Sequence, residues 1–229
     1  MAMSLGVNAI ASGSGSTVTT GVITTQVAGS GIVLVVNFQK PTQTFTSVTD
    51  SKGNTWTQVG SEITDSGGVV AMRRYQCPNA IGGSGHTFTL TCNVAGVCGI
   101  AAVEVLTTNG AGITLDQEGV VNDTASAYDS GAETTTIANE FLLGGFTCEG
   151  GGGTYTHTFG NSFTLIHEET AGTNFFPLAT CYRVVSATGT YNTTCTVTTT
   201  PIAALCSLDT YSEAASPGPG FVKVLIRAA

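Results

Sequence analysis

A turn-forming stretch that recurs in this chain constrains the fold more than any other sequence feature. Asp50-Ser-Lys-Gly-Asn54 combines residues that favour tight turns, and alternating residues flank it on both sides. A second stretch, Gly160-Asn-Ser-Phe-Thr164, repeats the pattern of Gly53-Asn-Thr-Trp-Thr57 at an offset of 107 residues. We interpret each copy as a hairpin that sets the register of its strands, and we expect two similar β-rich halves.

Other segments repeat at almost the same offset. Tyr75 and Tyr182 are 107 residues apart, and the segment that begins at Thr24 resembles the one that begins at Thr134. A steady offset along the chain is typical of an internal duplication. We therefore predict a first β-sandwich unit over residues 1–106, a connecting arm over 107–131 with a possible strand at 113–121, and a second β-sandwich unit over 132–229.

Short strands separated by turn signals are typical of antiparallel sandwiches. Residues 31–38 form a continuous apolar run, which predicts a central strand covered on both faces. Residues 16–27 and 221–227 are further predicted strands, and no long amphipathic helix is indicated. The predicted fold class is all-β, with two tandem antiparallel β-sandwich units (jelly-roll or Ig-like) related by internal duplication. The alternative is that both halves merge into one large jelly roll.

Charge excludes several classes of partner. The formal net charge of the 229-residue chain is −8, only 10% of its residues are charged, and the sequence pI is about 4.6. Nucleic acids and anionic membranes attract clusters of basic residues, so neither is an expected partner. The N-terminus lacks the basic and apolar regions of a signal peptide, and we expect a protein made in the cytoplasm without export.

The seven cysteines are candidates for disulfides or cross-links, and they are Cys77, Cys92, Cys98, Cys148, Cys181, Cys195 and Cys206. Their spacing does not indicate a zinc site. One set of pairings joins residues 77 with 92 and 181 with 195, across predicted hairpins. The competing set joins 92 with 98 and 195 with 206. The thiols could also be small buried hydrophobic groups, or bond to a neighbouring chain.

The residues that could form a catalytic or metal-binding site in this sequence also have structural interpretations. No nucleophile elbow stands on a strand-to-helix turn. His157 could face His167 across the second turn as a metal pair, although surface histidines on strands fit the same pattern. Asp50 could contribute to a calcium loop, or it could cap the backbone of its own turn. We expect no enzymatic activity, no cofactor and no metal.

Two aromatic residues follow the two turns at equivalent places. Trp56 and Phe163 could form an exposed platform for a sugar ligand. They could equally be core aromatics that recur because the core was duplicated. Burial in the folded protein separates these two interpretations.

Several sequence segments resemble those of a repeat family found in phage virion proteins and in secreted bacterial proteins. They are the segments 48–56, 103–106, 134–143 and 181–191. The resemblance spans roughly residues 20–211 and implies jelly-roll or Ig-like sandwiches that serve as structural, adhesive or sugar-binding modules. It carries no catalytic motif.

The resemblance and the absence of an export signal favour a virion component over a secreted one. We expect a non-enzymatic phage structural protein, a capsid decoration or cement protein or a tail or collar component, that contacts capsid or tail proteins and forms a homo-oligomer. The alternative is a carbohydrate-binding or receptor-binding adhesion module that binds a host-surface glycan.

Overall fold

The computed structural model describes residues 3–123, 127–150, 154–169, 176–198 and 203–216. These residues form eighteen β-strands and no helix, which confirms the predicted all-β class. The strands are β1 (Ser4–Gly13), β2 (Thr17–Thr19), β3 (Ser30–Gln39), β4 (Phe45–Asp50), β5 (Thr57–Thr64), β6 (Val70–Cys77), β7 (Phe88–Cys92), β8 (Cys98–Leu106), β9 (Ile113–Asp123), β10 (Ala127–Asp129), β11 (Glu133–Thr134), β12 (Glu140–Glu149), β13 (His157–Phe159), β14 (Thr164–Glu168), β15 (Leu178–Val185), β16 (Thr190–Tyr191), β17 (Thr194–Val197) and β18 (Ala203–Glu213).

The strands build two five-stranded sheets, each covered on its outer face by a three-stranded sheet. The first five-stranded sheet has the order β1-β8-β3-β6-β5, and β2-β7-β4 covers it. The second has the order β9-β18-β12-β15-β14, and β10-β17-β13 covers it, with the short pair β11-β16 beside it. Neighbouring strands in every sheet run antiparallel. The same spatial order of strands therefore occurs in both sandwiches.

The two five-stranded sheets also pack face to face, so that the molecule has four layers. Their shared core contains Val33, Val103 and Val105 from the first sheet and Phe141 and Leu205 from the second. Each sandwich has separate apolar clusters between its five-stranded and three-stranded sheets. Both large sheets are thus buried on both faces.

Strand β3 shows how its sequence produces this arrangement. Alternate side chains of a strand point to opposite faces, and β3 is apolar at almost every position because both faces are covered. Ile32, Leu34 and Val36 face the interior of the first sandwich, whereas Val33 and Val35 face the second sheet. The prediction of a central strand covered on both faces is confirmed.

The recurring turns are corners between sheets, and their interpretation as hairpins is wrong. Strand β4 pairs with β7 in the three-stranded sheet, whereas β5 pairs with β6 in the five-stranded sheet. The second turn likewise joins β13 to β14, which pair with β17 and β15. A turn that crosses between two sheets cannot set the register of a strand pair, since the strands it joins share no hydrogen-bond ladder.

One of the predicted equivalences and the predicted connecting arm change in the structure. Tyr75 lies in the interior of the first sandwich, but Tyr182 faces the layer between the two large sheets. A slip of one residue in a strand reverses the face of each side chain, so the shared offset does not preserve the environment of the tyrosine. Within the segment predicted as a connecting arm, residues 113–123 form β9, which pairs with β18 along its length. The predicted last strand, 221–227, lies outside the described residues.

Polar groups cross the layer between the large sheets. The guanidinium of Arg74 on β6 is fully buried and forms an ion pair with Asp209 on β18. It also forms an ion pair with Glu118 on β9, with Nη2 at 2.7 Å from Oε2. Nearby, Asn37 donates to the hydroxyl of Thr147 at 2.7 Å. These contacts fix the relative position of the two sheets within an otherwise apolar layer.

Candidate functional site

The carboxylate of Asp50, at the end of β4, organises the first corner turn. Its Oδ1 accepts hydrogen bonds from the backbone N–H of Lys52 at 2.6 Å and from the backbone and side-chain amides of Asn54 at 3.4 and 3.3 Å. Its Oδ2 accepts the indole N–H of Trp56 at 2.9 Å. Because N–H donors occupy both oxygens, the structure supports the interpretation of Asp50 as a cap for its own turn.

The same turn is hydrogen-bonded to the loop that joins β6 to β7. The side-chain amide of Asn54 donates to the carbonyl of Ile81 at 2.9 Å and accepts from its N–H at 2.8 Å. The hydroxyl of Ser51 donates to the carbonyl of Gly85, and the ammonium of Lys52 donates to the carbonyl of Ser84. Two loops that are distant in sequence therefore behave as one hydrogen-bonded unit.

A third loop, before β3, joins this unit through a buried histidine. Nδ1 of His86 lies 2.8 Å from the hydroxyl of Thr25, and Nε2 lies 3.4 Å from Oδ1 of Asp50. The side chains of His86 and Asp50 are completely buried. Burial lowers the pKa of His86, although Asp50 opposes this shift. A hydroxyl, an imidazole and a carboxylate in a row resemble a nucleophile set, but their burial shields the hydroxyl from any substrate, so the row anchors loops.

Aliphatic side chains project from these anchored loops into solvent. Val22 and Val27 are 70% and 74% exposed in the loop before β3, and Ile81 is 61% exposed in the loop after β6. The carbonyl of Val27 accepts the N–H of Gly82 at 3.1 Å, which brings the neighbourhoods of Val27 and Ile81 together. The predicted strand over 16–27 is formed only over Thr17–Thr19, so both valines lie outside regular structure. We call Val22, Val27 and Ile81 the aliphatic loop patch.

The two candidate aromatic residues pack on cores. Phe163 is 6% exposed within the second sandwich. Trp56 is partly buried against the first core, with its ring edge-on to Phe88 at 6.1 Å between centroids. The indole N–H of Trp56 is already bonded to Asp50. Both rings are therefore placed as core aromatics would be. They do not form an exposed pair on which a sugar could stack.

The histidines of the second half do not face each other as a metal pair. His157 binds Glu168, with Nδ1 at 2.9 Å from Oε2, and Glu168 also accepts the backbone N–H of His157 at 2.8 Å. Burial lowers the pKa of His157, and Glu168 acts in the opposite direction. In the described part of the chain no group of three or more histidine, cysteine or acidic side chains could hold a metal ion.

All seven cysteines are buried as free thiols. None of the predicted disulfides is present, and every thiol lies in a core. A bond to a neighbouring chain stays a prediction. Cys77 and Cys92 are the last residues of strands in different sheets, and Cys181 and Cys195 also lie on strands of different sheets. The hairpins that suggested those two pairs are corners. Cys92 and Cys98 belong to the same buried cluster of the first sandwich, and the thiol of Cys98 donates to the carbonyl of Gly15.

Two groups of residues in this region were not anticipated from the sequence. His86 and Thr25 complete the polar anchor of Asp50, and the aliphatic loop patch stands on the loops that this anchor holds. A signal for the patch is present: Val22, Val27 and Ile81 are large aliphatic residues in segments rich in Gly, Thr, Ser and Asn.

Comparisons with known proteins assign no function to this chain, so its function is inferred from the geometry described above. No family model, curated protein or solved structure matches the chain. Among the residues that the structure describes, no helix is long and apolar enough to span a membrane.

Proposed function

We propose that this chain is a non-enzymatic structural protein of a tailed phage particle. It binds the outside of the capsid or tail as a decoration or cement protein, or as a tail or collar component, and it reinforces the particle as a homo-oligomer. The resemblance of its strand and turn segments to the β-sandwich repeats of phage virion proteins supports this proposal. The four-layer all-β architecture and the scarcity of charged residues suit a rigid building block.

The observation that carries the proposal is the aliphatic loop patch on loops that are already fixed. Loops that are ordered before binding lose little conformational entropy when a partner covers them. Exposed valine and isoleucine side chains gain free energy when a protein surface covers them, and they offer no hydrogen bonds to a sugar. A protein partner with a complementary apolar surface, such as a neighbouring virion protein, fits this patch best.

The positions of the reactive side chains support a non-enzymatic role. The hydroxyl of Thr25, the imidazole of His86 and the carboxylate of Asp50 are engaged with one another beneath the loops. In the second half His157 is held by Glu168. Each set stabilises a corner of the fold, and both histidines have lowered pKa values because they are buried.

Cosedimentation with phage particles tests the proposal. Purified chain is mixed with particles of the phage whose genome encodes it, from which the native copies have been stripped, and the pelleted fraction is measured. We expect saturable binding, weakened about tenfold or more by the double substitution V27K/I81K, because two apolar contacts are lost and charges are buried.

The matched control is Ile137→Lys. Ile137 is 46% exposed, and it belongs to the second half of the chain. We expect this variant to bind as the wild type does. Wild-type protein that stays in the supernatant with its own stripped particles would refute the proposed function, and equal loss in both variants would refute the role of the patch.

A further inference from the structure

The loop between β8 and β9 carries the chain from the first five-stranded sheet to the second, because β8 belongs to one and β9 to the other. This loop, residues 107–112, contains Asn109-Gly110, which is the only Asn-Gly pair in the sequence. Asn109 and Gly110 are both exposed. An asparagine before glycine is the most reactive kind of asparagine, because glycine has no side chain to shield its backbone nitrogen.

The side chain of Asn109 folds back over its own loop. Its Oδ1 accepts the backbone N–H of Ala111 at 2.9 Å. The ring that this hydrogen bond closes contains the peptide bond between Asn109 and Gly110, so Cγ of Asn109 is held beside the nitrogen of Gly110. The same hydrogen bond stabilises negative charge on Oδ1, which makes Cγ a better target for a nucleophile.

The backbone nitrogen of Gly110 is available as that nucleophile. Within the described part of the chain, its N–H donates no hydrogen bond. A Cβ atom built at Gly110 would meet no heavy atom within 4 Å, so the space beside this residue is open. Gly110 has φ of 65°, a conformation that glycine adopts without strain. An electrophilic carbon and an unhindered nitrogen therefore stand next to each other in a solvent-exposed loop.

We propose that Asn109 is a deamidation site, and that its conversion to aspartate or isoaspartate loosens the contact between the β8–β9 loop and the end of β18. The reaction needs only water and a base from the solvent. It requires no enzyme, metal or oxidant. The modification would mark the age of the folded protein at the junction of its two halves.

The reaction proceeds in two balanced steps. The nitrogen of Gly110 gives its proton to a solvent base and attacks Cγ of Asn109. A C–N bond forms, the bond from Cγ to Nδ2 breaks, and the amide group takes up a proton and leaves as ammonia. Water then opens the resulting succinimide ring. Cleavage between Cγ and the ring nitrogen gives aspartate, and cleavage between the backbone carbonyl carbon and that nitrogen gives isoaspartate. One water is consumed, one ammonia is released, and no electrons are transferred.

The product cannot make the contact that the asparagine makes. Nδ2 of Asn109 donates to the carbonyl of Ala214 at 2.7 Å, just after β18. Beside it, the carboxylate of Glu213 accepts the N–H of Thr108, and the N–H of Ala214 donates to the carbonyl of Gly112 at 2.9 Å. A carboxylate at position 109 would face a carbonyl oxygen without a proton to donate, and it would add negative charge near Glu213. Isoaspartate would also add a methylene group to the backbone of the loop.

Asn93 provides a matched internal control. It is exposed in the turn between β7 and β8, and its Oδ1 accepts the backbone N–H of Thr44 at 2.7 Å. The residue that follows it is Val94, whose branched side chain crowds the backbone nitrogen. The two asparagines thus share exposure and a hydrogen-bonded Oδ1, and they differ in the residue that supplies the nucleophile.

Timed peptide mapping of the folded full chain tests the inference. The protein is incubated at mildly alkaline pH, and chymotryptic peptides, including residues 107–115, are analysed by mass spectrometry. We expect this peptide to gain the mass difference between a hydroxyl and an amino group and to separate into aspartate and isoaspartate forms. Conversion at Asn109 should be at least about tenfold faster than at Asn93. Hydroxylamine, which cleaves succinimides, should cut the chain after Asn109.

A parallel sample in urea shows whether the folded loop is itself reactive. Conversion of Asn109 in urea but not in the folded protein would overturn the proposal, and so would equal rates at Asn109 and Asn93. Asn109→Gln should show no conversion at position 109, because its longer side chain closes the ring far more slowly.

Asn109→Asp reproduces one product and tests the structural consequence. We expect the amide hydrogens of Thr108 and Ala214 to exchange about tenfold faster in this variant than in the wild type, because the hydrogen bonds between the loop and the end of β18 open more often. Unchanged exchange would refute the loosening of this contact. The wild-type peptide map decides the modification itself even where a variant fails to fold, and its outcome does not depend on binding to phage particles.

Discussion

The two sandwiches share an order of strands but anchor their corner turns differently. In the first, Asp50 belongs to the turn itself, accepts hydrogen bonds from the turn and from Trp56, and has its Oδ1 3.4 Å from Nε2 of His86. In the second, Glu168 on β14 binds His157, and the turn is a compact pair of left-handed residues, Asn161 and Ser162, with φ of 57° and 65°. In the first half a single carboxylate both caps the turn and lies beside the buried histidine. In the second half one set of residues forms the turn and another residue binds the histidine.

Buried glutamates show a second difference. Glu104 on β8 accepts hydrogen bonds from the N–H groups of Val7 and Gln26 and from the hydroxyl of Ser30. Glu140, at the start of β12, is buried beside Asp116. Burial and the Asp116 carboxylate raise the pKa of Glu140 to about 7. A carboxylate that is buried beside another acid binds a proton more tightly than a free one.

The largest expected effect comes from removing the shared anchor of the first half. We expect Asp50→Ala to lower the free energy of unfolding by about 3–5 kcal/mol, because the turn amides and the indole N–H of Trp56 lose their acceptor and the buried His86 loses the carboxylate beside it. We expect Glu168→Ala to cost only about 1–2 kcal/mol, because only His157 loses its acceptor. Urea denaturation followed by circular dichroism measures both variants. Equal losses would show that the two anchors are equivalent.

The pH dependence of stability sharpens the comparison of the glutamates. The pKa of Glu140 is raised from 4.5 to about 7, so the folded protein binds a proton more tightly than the unfolded chain, and this group makes stability fall as pH rises between those values. Asp209 acts in the same direction, since burial raises its pKa to about 7 against the effect of Arg74. His86 and His157, with lowered pKa values, act oppositely below 6.5.

Glu140→Gln isolates the contribution of this glutamate. We expect the variant to gain stability relative to the wild type as pH rises from 5 to 8, because the amide cannot ionise. Thermal denaturation at several pH values measures the difference. Glu104→Gln is the control, and we expect it to disturb the hydrogen bonds of Ser30 and Gln26 at every pH. A stability difference between Glu140→Gln and the wild type that does not change with pH would contradict the raised pKa.

The smallest expected effects concern the turns. Gly53 has φ of 76° with open space around the position of a Cβ atom, so we expect Gly53→Ala to cost about 1 kcal/mol through backbone strain alone. Ser162→Gly should gain about 0.5–1 kcal/mol, because glycine adopts the left-handed conformation without that strain. Chemical denaturation resolves both changes. Effects of the same sign would refute the assignment of these conformations.

Much of the framework was predictable because strand periodicity and turn residues are local signals. The apolar run of β3 was predicted closely, and the all-β class followed from such strand signals. Which sheet a strand joins is not local. The turn after Asp50 looks like a hairpin turn in sequence, yet it connects two sheets, because β5 and β4 find partners elsewhere in the chain.

The site was harder to predict because its partners come from distant segments. Thr25, Asp50 and His86 are each unremarkable in sequence, and their contacts arise from loops that meet only after the sheets have formed. The sequence allowed the cysteines to be small buried hydrophobic groups, but which cluster each thiol joins depends on how the sheets pack. A one-residue slip also separates Tyr75 from Tyr182, which a constant offset cannot reveal.

Burial of both faces of the large sheets has a consequence for how such a protein can evolve. Substitutions in β3, β8, β12 or β18 disturb two cores at once, so the middle layers are constrained from both sides. The loops around Val22, Val27 and Ile81 contribute to neither core through these side chains. Recognition surfaces can therefore diversify there at little cost to folding, and one framework can be adapted to new neighbours by changes in a few exposed residues.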